Sequence, residues 1–284
     1  MAGHEQLEWE RRAGRFAAGA ALGYALLTVG GGVYTSTSLS KQPKNERQLL
    51  EVINSDEHIW LTGRVLQGVA LLMMAIVLYY LYRVVEHRRP EVPSYGLVLA
   101  IVGPLLLAVA GVLLALDQID SAHEFARAEE RTAEQAEDLL RERSGMTIGI
   151  GAAGALSLAL SLVLIGMAAM RAGVLSRFMG ILGIIVGSLY VLGELLPIGG
   201  PGFIQLFWLG ALAALFLDKW PGGRGPAWET GEAIPWPSAA DRRREGASAA
   251  GPEAGGEVDS PAPVTGEVSG QGPDSKKRKR KRRR

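Results

Sequence analysis

Residues 146–196 have the sequence MTIGIGAAGALSLALSLVLIGMAAM, then RAGVLSR, then FMGILGIIVGSLYVLGELL, and this stretch decides the fold. The first part, 146–170, carries no charge, and the last part, 178–196, carries only Glu194. Apolar runs of about 18 residues or more predict membrane-spanning helices rather than core helices of a soluble domain. The link 171–177 contains two arginines, so the positive-inside tendency places this turn in the cytoplasm.

Composition divides the 284-residue chain into two regimes. Apolar residues come in blocks up to Trp220, and Gly, Pro, Ala, Ser and charged residues dominate after it. The absence of cysteine excludes disulfides, thiolate nucleophiles and cysteine-based metal sites. The four histidines are scattered without a His-x-x-x-His pair, so we expect no metal site. The abundance of Ala, Gly, Leu and Arg is typical of a bacterial chain.

Six apolar blocks predict an all-α, polytopic membrane protein: a bundle of six transmembrane helices in residues 1–220. The first block is long for a signal-peptide core and lacks a small-residue cleavage site, so we interpret it as a span. Pro104 lies inside the third block and predicts a kink. The predicted spans cover about residues 15–34, 60–82, 95–116, 146–170, 178–196 and 202–217.

The distribution of Lys and Arg predicts the topology. With the N-terminus in the cytoplasm, the short inside loops carry arginines, whereas the last outside turn carries none. The even number of spans then returns the C-terminus to the same side. We therefore expect a multi-pass protein of the inner (plasma) membrane with both termini cytoplasmic. The inside cations before the tail are Arg11, Arg12, Arg15, Arg83, Arg88, Arg89, Arg171 and Arg177; the outside ones near the first loop are Lys41, Lys44 and Arg47.

The polar loops between the spans also have predictable structure. Residues 117–145 form a long external loop that is rich in acids and has helical composition; we expect it to be solvated and to extend span three. Gln48–Ile53 predicts a short surface helix.

Small residues at intervals of three and four along a predicted span allow close helix packing, or homo-oligomers through helix association. These glycines are Gly19 and Gly23 in the first span, and Gly180, Gly183 and Gly187 in the fifth.

Residues 221–284 predict a disordered cytoplasmic tail, because their composition cannot bury a core. The tail ends in a run of nine basic residues that we interpret as a patch for anionic lipid headgroups. Binding to nucleic acid or ribosomes is the less favoured alternative, since no aromatic residue interrupts the run to stack on bases. The run is Lys276, Lys277, Arg278, Lys279, Arg280, Lys281, Arg282, Arg283 and Arg284.

Four polar residues inside predicted spans form the candidate site: Arg64 and Gln67 in span two, Glu194 in span five and Gln205 in span six. The topology places all four near the outer interface. Charges in hydrocarbon cost about 2.5–3.5 kcal/mol on insertion scales, so they tend to pair or to line a wet cavity. We expect an ion pair between Arg64 and Glu194, hydrogen-bonded to a glutamine. The alternatives are that Arg64 extends to the headgroups, or that the cluster is a ligand or proton site.

Motifs for catalysis are not evident. The glycine-rich pieces lie in apolar spans and lack the strand–turn–helix context of a phosphate-binding loop. No Gly-x-Ser-x-Gly elbow and no paired intramembrane aspartates occur. Ser157 and Ser161 share a helix face without a partner base, so we interpret them as packing residues. We predict no catalytic, cofactor or metal site.

Several motifs are similar to those of a known protein family. Tyr80-Leu-Tyr-Arg83, the basic loop ending in Arg88-Arg89-Pro90, and Arg171-Ala-Gly-Val-Leu-Ser-Arg177 followed by Gly180 and Gly183 carry the likeness. Over about residues 15–218 the chain resembles a family of six-span bacterial membrane proteins of unknown function, common in actinobacteria and their relatives. Many members have proline where Ser176 stands here. The resemblance implies a six-helix bundle and supplies no catalytic residues.

The sequence therefore favours a non-enzymatic structural or accessory membrane protein. The alternative is a small permease or channel for a small solute, which the kink at Pro104 and the polar residues near the outer face support. Against this alternative, no ionisable residue lies near the predicted midplane, where transporter sites usually occur.

Overall fold

The computed structural model describes residues 2–141, 144–195, 202–221 and 223–236. Every regular element in these ranges is an α-helix, so the all-α prediction is confirmed there. In chain order the helices are α1 Ala2–Ser38, α2 Glu46–Ser55, α3 Glu57–Arg88, α4 Tyr95–Arg127, α5 Ala133–Arg141, α6 Gly145–Arg171, α7 Arg177–Leu195, α8 Gly202–Phe216 and α9 Ala227–Thr230.

Four of these helices are long and apolar enough to cross a membrane: residues His4–Ser38 of α1, and α3, α4 and α6. They indicate a membrane protein. α7 and α8 coincide with the last two predicted spans but have only 19 and 15 residues. At about 1.5 Å per residue α8 is roughly 22 Å long, against a hydrocarbon core of about 30 Å. The number of six spans therefore stays a prediction.

The long helices pack around a shared apolar core. α3 contacts α1 and α4, α6 contacts α4 and α7, and α8 contacts α1 and α7. The α4–α6 contact is close because of two glycines. A Cβ on Gly103 would lie 2.6 Å from the backbone nitrogen of Leu158, and one on Gly154 would lie 2.9 Å from that of Leu107. Pro104 follows Gly103 inside α4 and is buried, and the predicted kink stays a prediction.

The predicted glycine face of span five is used for packing. A Cβ on Gly187 would lie 3.1 Å from the Ala159 carbonyl of α6, and one on Gly183 would lie 3.0 Å from the Trp208 ring of α8. The glycines of the first predicted span do not pack closely in this way. A Cβ on Gly19 would meet nothing within 4 Å, and one on Gly23 would meet only the Met73 side chain at ordinary contact distance. Gly19 therefore makes no close helix contact with the part of the chain that the structure describes.

A second, smaller core lies where α4 continues past the predicted end of its span. α2, the last turns of α4 and α5 share a buried apolar cluster formed by Leu50, Ile53, Ile119, Ala122, Phe125, Ala136 and Leu139. The predicted extension of span three is therefore observed, and the predicted helix Gln48–Ile53 lies within α2. The prediction of a solvated loop is wrong for α5, which buries Ala136 and Leu139 against its neighbours.

The prediction of disorder from Pro221 onward is wrong for residues 223–236, which we call the C-terminal strap. The strap packs against the bundle, with Trp228 only 5% exposed and Trp236 against the same core. The physical reason is local: two tryptophans among glycines and prolines anchor a segment whose average composition is that of a linker. Residues 237–284, including Lys276–Arg284, lie outside the described residues.

Candidate functional site

Arg64 and Gln67 line a cavity of about 400 Å³ between α1 and α3. The wall on the α1 side includes Thr28, Gly32 and Thr35, and residues 39–43 after α1 close one end. Two of the four predicted site residues are thus neighbours in a real cavity.

The guanidinium of Arg64 stacks on an indole in this wall. Its central carbon lies 5.1 Å from the centre of the Trp60 ring. The indole Nε1 of Trp60 in turn donates a hydrogen bond to the Gln118 Oε1 of α4 over 3.1 Å. A cation over an aromatic face is stabilised by the ring quadrupole. Trp60 therefore holds the charge of half-buried Arg64 at the cavity, and α4 fixes the orientation of Trp60.

Small residues determine the shape of this cavity. A Cβ on Gly63 would contact Thr35 Oγ1, so α1 and α3 approach closely at that point. A Cβ on Gly32 would meet nothing within 4 Å, so the cavity is open there. The Thr35 hydroxyl donates to the Gly31 carbonyl over 2.9 Å. The Thr28 hydroxyl is buried and interacts with the Tyr24 hydroxyl of the same helix.

The chain that closes the cavity is held by Asp56, at the junction of α2 and α3. The backbone N–H of Ser40 donates to Asp56 Oδ2 over 2.7 Å. This backbone hydrogen bond, aided by the Ser40 hydroxyl, holds the pKa of Asp56 below its ordinary value, because both stabilise the carboxylate form. Ser40 lies between cavity residues Leu39 and Gln42, so Asp56 helps to position that end of the cavity.

Gln205 lies deeper in the bundle and is 2% exposed. The Tyr190 hydroxyl of α7 donates to Gln205 Oε1 over 2.9 Å, and Gln205 Nε2 donates to the sulfur of Met74 over 3.1 Å. Tyr24 of α1 interacts with the side chains of both Tyr190 and Gln67. The two predicted glutamines are therefore connected through two tyrosines, one on α1 and one on α7.

These two tyrosines were not predicted as site residues. Glu194 lies on α7 one turn after Tyr190, and its side chain is outside the described part of the chain. The Arg64–Glu194 ion pair therefore stays a prediction. The side chains of Gln67, Tyr24, Tyr190 and Gln205 form one series of polar contacts, which we call the polar chain. Arg64 lies beside Gln67, at the end of this series that borders the cavity.

A second buried polar cluster lies at the opposite end of α3, and no sequence pattern singled it out. Arg88 Nη1 lies 2.7 Å from Glu10 Oε1, and Nη2 lies 2.9 Å from Glu10 Oε2. Nε and Nη2 also donate to the Ala227 carbonyl of the strap over 3.1 and 2.7 Å. Both charged residues occur in polar flanks of apolar blocks, where charges are usually exposed. Their burial therefore could not be expected from the sequence.

The Glu10–Arg88 cluster continues into the strap. The guanidinium carbons of Arg88 and Arg224 lie 5.6 and 5.3 Å from the centre of the Trp228 ring. The Trp228 indole donates to the Val174 carbonyl, in the link between α6 and α7, over 2.9 Å. The Tyr80 hydroxyl of α3 donates to the Glu10 carbonyl over 2.9 Å. These contacts join α1, α3, the α6–α7 link and the strap at one end of the bundle.

The chain matches the model of a known protein family. The model of DUF4386, a domain of unknown function, matches residues 17–219, more than two thirds of the chain. The chain belongs to the DUF4386 family. No curated protein and no solved structure matches it. The DUF4386 match confirms the resemblance to an uncharacterised family, while six spans and the actinobacterial setting stay predictions.

The DUF4386 domain contains the cavity and the polar chain but only part of the second cluster. Arg88 lies within the matched range, whereas Glu10 and Ala227 lie outside it. In the ranges that the structure describes, no group of three or more His, Asp or Glu side chains could hold a metal ion. Ser161 is buried and donates to the Leu158 carbonyl of its own helix over 2.8 Å, as expected of a packing residue.

Proposed function

We propose that this DUF4386 protein is a non-enzymatic six-span scaffold of the plasma membrane that presents a basic tail at the cytoplasmic leaflet. The observation that carries the proposal is the contact of Arg88 with both Glu10 and Ala227. Because the first helix and the C-terminal strap bind one guanidinium, both ends of the described chain lie at the same end of the bundle. A chain whose two ends lie on the same side of the membrane crosses it an even number of times.

Charge supports the cytoplasmic orientation of that end. Exposed Arg83, at the end of α3, and exposed Arg171 and Arg177, around the α6–α7 link, lie on the same side of the membrane helices as the strap. The opposite end carries α2 and α5, with α5 rich in acids. Excess Arg in short loops favours the cytoplasmic side. The strap and the tail that follows it are therefore assigned to the cytoplasm.

Dense packing between the helices supports a scaffold over a permease. Met74 and Leu78 of α3, Leu158 and Leu162 of α6, and Trp208 of α8 are almost completely buried. A solute path through this level requires these side chains to separate. The alternative, a small permease or channel, predicts solute flux in proteoliposomes that a scaffold lacks.

Single cysteines test the topology, because the chain has no native cysteine. Ser94→Cys and Thr230→Cys are exposed and assigned inside, and Ser38→Cys and Glu130→Cys are exposed and assigned outside. We expect a membrane-impermeant maleimide to label only the second pair in spheroplasts, and all four after lysis. Labelling of Ser94→Cys or Thr230→Cys in sealed spheroplasts contradicts the orientation.

The basic run Lys276–Arg284 tests the tethering role. Each basic residue near an anionic membrane surface contributes about 1 kcal/mol, so nine should hold the tail at the leaflet. A fluorophore on Ser275→Cys should be quenched by headgroup quenchers in vesicles containing phosphatidylglycerol, but not in phosphatidylcholine vesicles. A variant with serine at all nine positions is the control. Quenching that is equal in both lipids contradicts tethering, and tight binding to RNA instead favours the nucleic-acid alternative.

A further inference from the structure

We propose that the cavity at Arg64 is a specific site for the phosphate-bearing headgroup of an anionic lipid in the leaflet at that end of the bundle. The proposed function assigns no ligand to this cavity, and the inference does not depend on which leaflet is cytoplasmic.

The position of the cavity matches the headgroup level of a bilayer. Trp60 is an aromatic residue near the start of α3, as is common at membrane interfaces, and Arg64 follows one turn later. A long arginine side chain can reach phosphates from about one turn inside the hydrocarbon. On α1, Val29 and Val33 lie beside the cavity residues and are 52% and 55% exposed. Acyl chains can therefore run along this apolar face while the headgroup enters the cavity.

The polar atoms of the cavity suit a phosphate that carries hydroxyl groups. A guanidinium has five N–H donors in a planar fork, so it can bind a phosphate while it keeps contacts with protein groups. The hydroxyls of Thr35 and Ser36 donate to Gly31 and Val33 carbonyls over 2.9 and 3.0 Å, which leaves their oxygens as acceptors. The headgroup of phosphatidylglycerol supplies both an anion for Arg64 and hydroxyl donors for these oxygens.

Two further properties fit a bound headgroup. The volume of about 400 Å³ lies within the usual range of ligand sites. The Thr28 hydroxyl in the wall is buried and interacts with the Tyr24 hydroxyl, and a hydroxyl can make more than one hydrogen bond. A ligand hydroxyl or phosphate oxygen in the cavity can supply a further partner for Thr28.

A pair of glycine variants tests the site without changing its charge. A Cβ on Gly32 or on Gly30 would meet nothing within 4 Å, but only Gly32 lines the cavity. Gly32→Leu should fill the cavity, and Gly30→Leu should leave it open. We expect native mass spectrometry of the full-length protein from mixed phosphatidylglycerol and phosphatidylcholine nanodiscs to show about tenfold less retained phosphatidylglycerol for Gly32→Leu. Gly30→Leu should retain as much as the wild type.

Charge variants give an independent readout. Arg64→Gln should lose phosphatidylglycerol retention and leave phosphatidylcholine retention unchanged. Arg177→Gln, at an exposed arginine of α7 that does not line this cavity, is the matched control and should behave as the wild type. If Gly32→Leu does not fold, Thr28→Val replaces it, because valine keeps the volume and removes the buried hydroxyl.

Two results would overturn the proposal. One is equal phosphatidylglycerol retention by the wild type, by Arg64→Gln and by the folded cavity variant. The other is saturable binding of soluble glycerol phosphate that Gly32→Leu abolishes while lipid retention stays unchanged, because the cavity would then take a soluble anion.

Discussion

Arg88 of α3 binds Glu10 of α1 through two parallel hydrogen bonds of 2.7 and 2.9 Å, and both side chains are shielded from solvent. The remaining guanidinium N–H groups donate to the carbonyls of Val84 and Ala227. All five donors therefore have acceptors, which is the condition under which a buried charge is tolerated. Arg88 thus joins the first helix, the third helix and the strap.

Loss of one partner of this pair should strongly destabilise the bundle. Glu10→Gln leaves a buried guanidinium without a compensating charge, and breaking a buried pair in this way typically costs about 3–5 kcal/mol. We expect a clear fall in the unfolding temperature of the detergent-solubilised protein. Glu8→Gln, which removes an exposed neighbour of Arg12, is the control and should leave that temperature unchanged.

The double variant Glu10→Gln/Arg88→Met tests whether the two residues stabilise the protein as a pair. If the two residues act as a pair, the double variant is less destabilised than the sum of the single variants, since no buried charge remains. Additive losses contradict the pairing.

The strap, rather than the whole tail, should contribute to stability. Truncation after Trp236 removes only residues outside the described part of the chain, whereas truncation after Trp220 also removes Trp228. Deletion of a buried tryptophan side chain typically costs about 3–5 kcal/mol, and Trp228 additionally donates to the Val174 carbonyl.

We therefore expect the protein truncated after Trp236 to unfold at the wild-type temperature, and the protein truncated after Trp220 to unfold at a clearly lower temperature. Thermal scans of the two detergent-solubilised variants measure the difference. Rapid trypsin cleavage at Arg224 in the native full-length protein, at the rate of an unstructured peptide, argues against a packed strap.

The long apolar helices could be predicted closely, because lipid permits only long apolar helices and their sequences carry that pattern. The uncharged run 146–170 became α6, Gly145–Arg171, with one residue added at each end. Arg64 and Gln67 were selected for the same reason, since polar residues are rare in such runs, and the structure places both in the wall of one cavity. The strap could not be predicted, because its attachment depends on Trp228 and on main-chain carbonyls such as Ala227. Carbonyl contacts leave no pattern in a sequence.

The link between α6 and α7 should depend on Gly173. This residue has φ of +70°, and a Cβ there would collide with the Ile234 carbonyl of the strap. Gly173→Ala therefore introduces both backbone strain and a collision. Gly223→Ala is the matched control, because Gly223 has φ of +76° but nothing within 4 Å of a Cβ.

Backbone strain alone typically destabilises by about 1 kcal/mol or more. We expect Gly173→Ala to lower the unfolding temperature more than Gly223→Ala and to increase trypsin cleavage at Arg224. Equal effects of the two substitutions would mean that the strap does not press against the α6–α7 link.

Asp56 should make stability depend on pH in the acid range. Its pKa in the folded protein lies below the ordinary value of about 3.9, chiefly because the Ser40 backbone N–H donates to it. A lowered folded-state pKa contributes stability that is present above the ordinary pKa and is lost as the pH falls through the folded-state value. The wild type should therefore exceed Asp56→Asn in unfolding temperature at pH 7, and the difference should shrink below about pH 4.

Ser40→Ala separates the two hydrogen bonds, because it keeps the backbone donor and loses the hydroxyl. Since the backbone donor has the larger effect on the pKa of Asp56, Ser40→Ala should retain most of the pH dependence of the wild type. Thermal scans between pH 7 and pH 3 in one detergent measure all three proteins. A difference between wild type and Asp56→Asn that stays constant over this range would show that the carboxylate is not stabilised by Ser40, and that the chain closing the Arg64 cavity is held by other contacts.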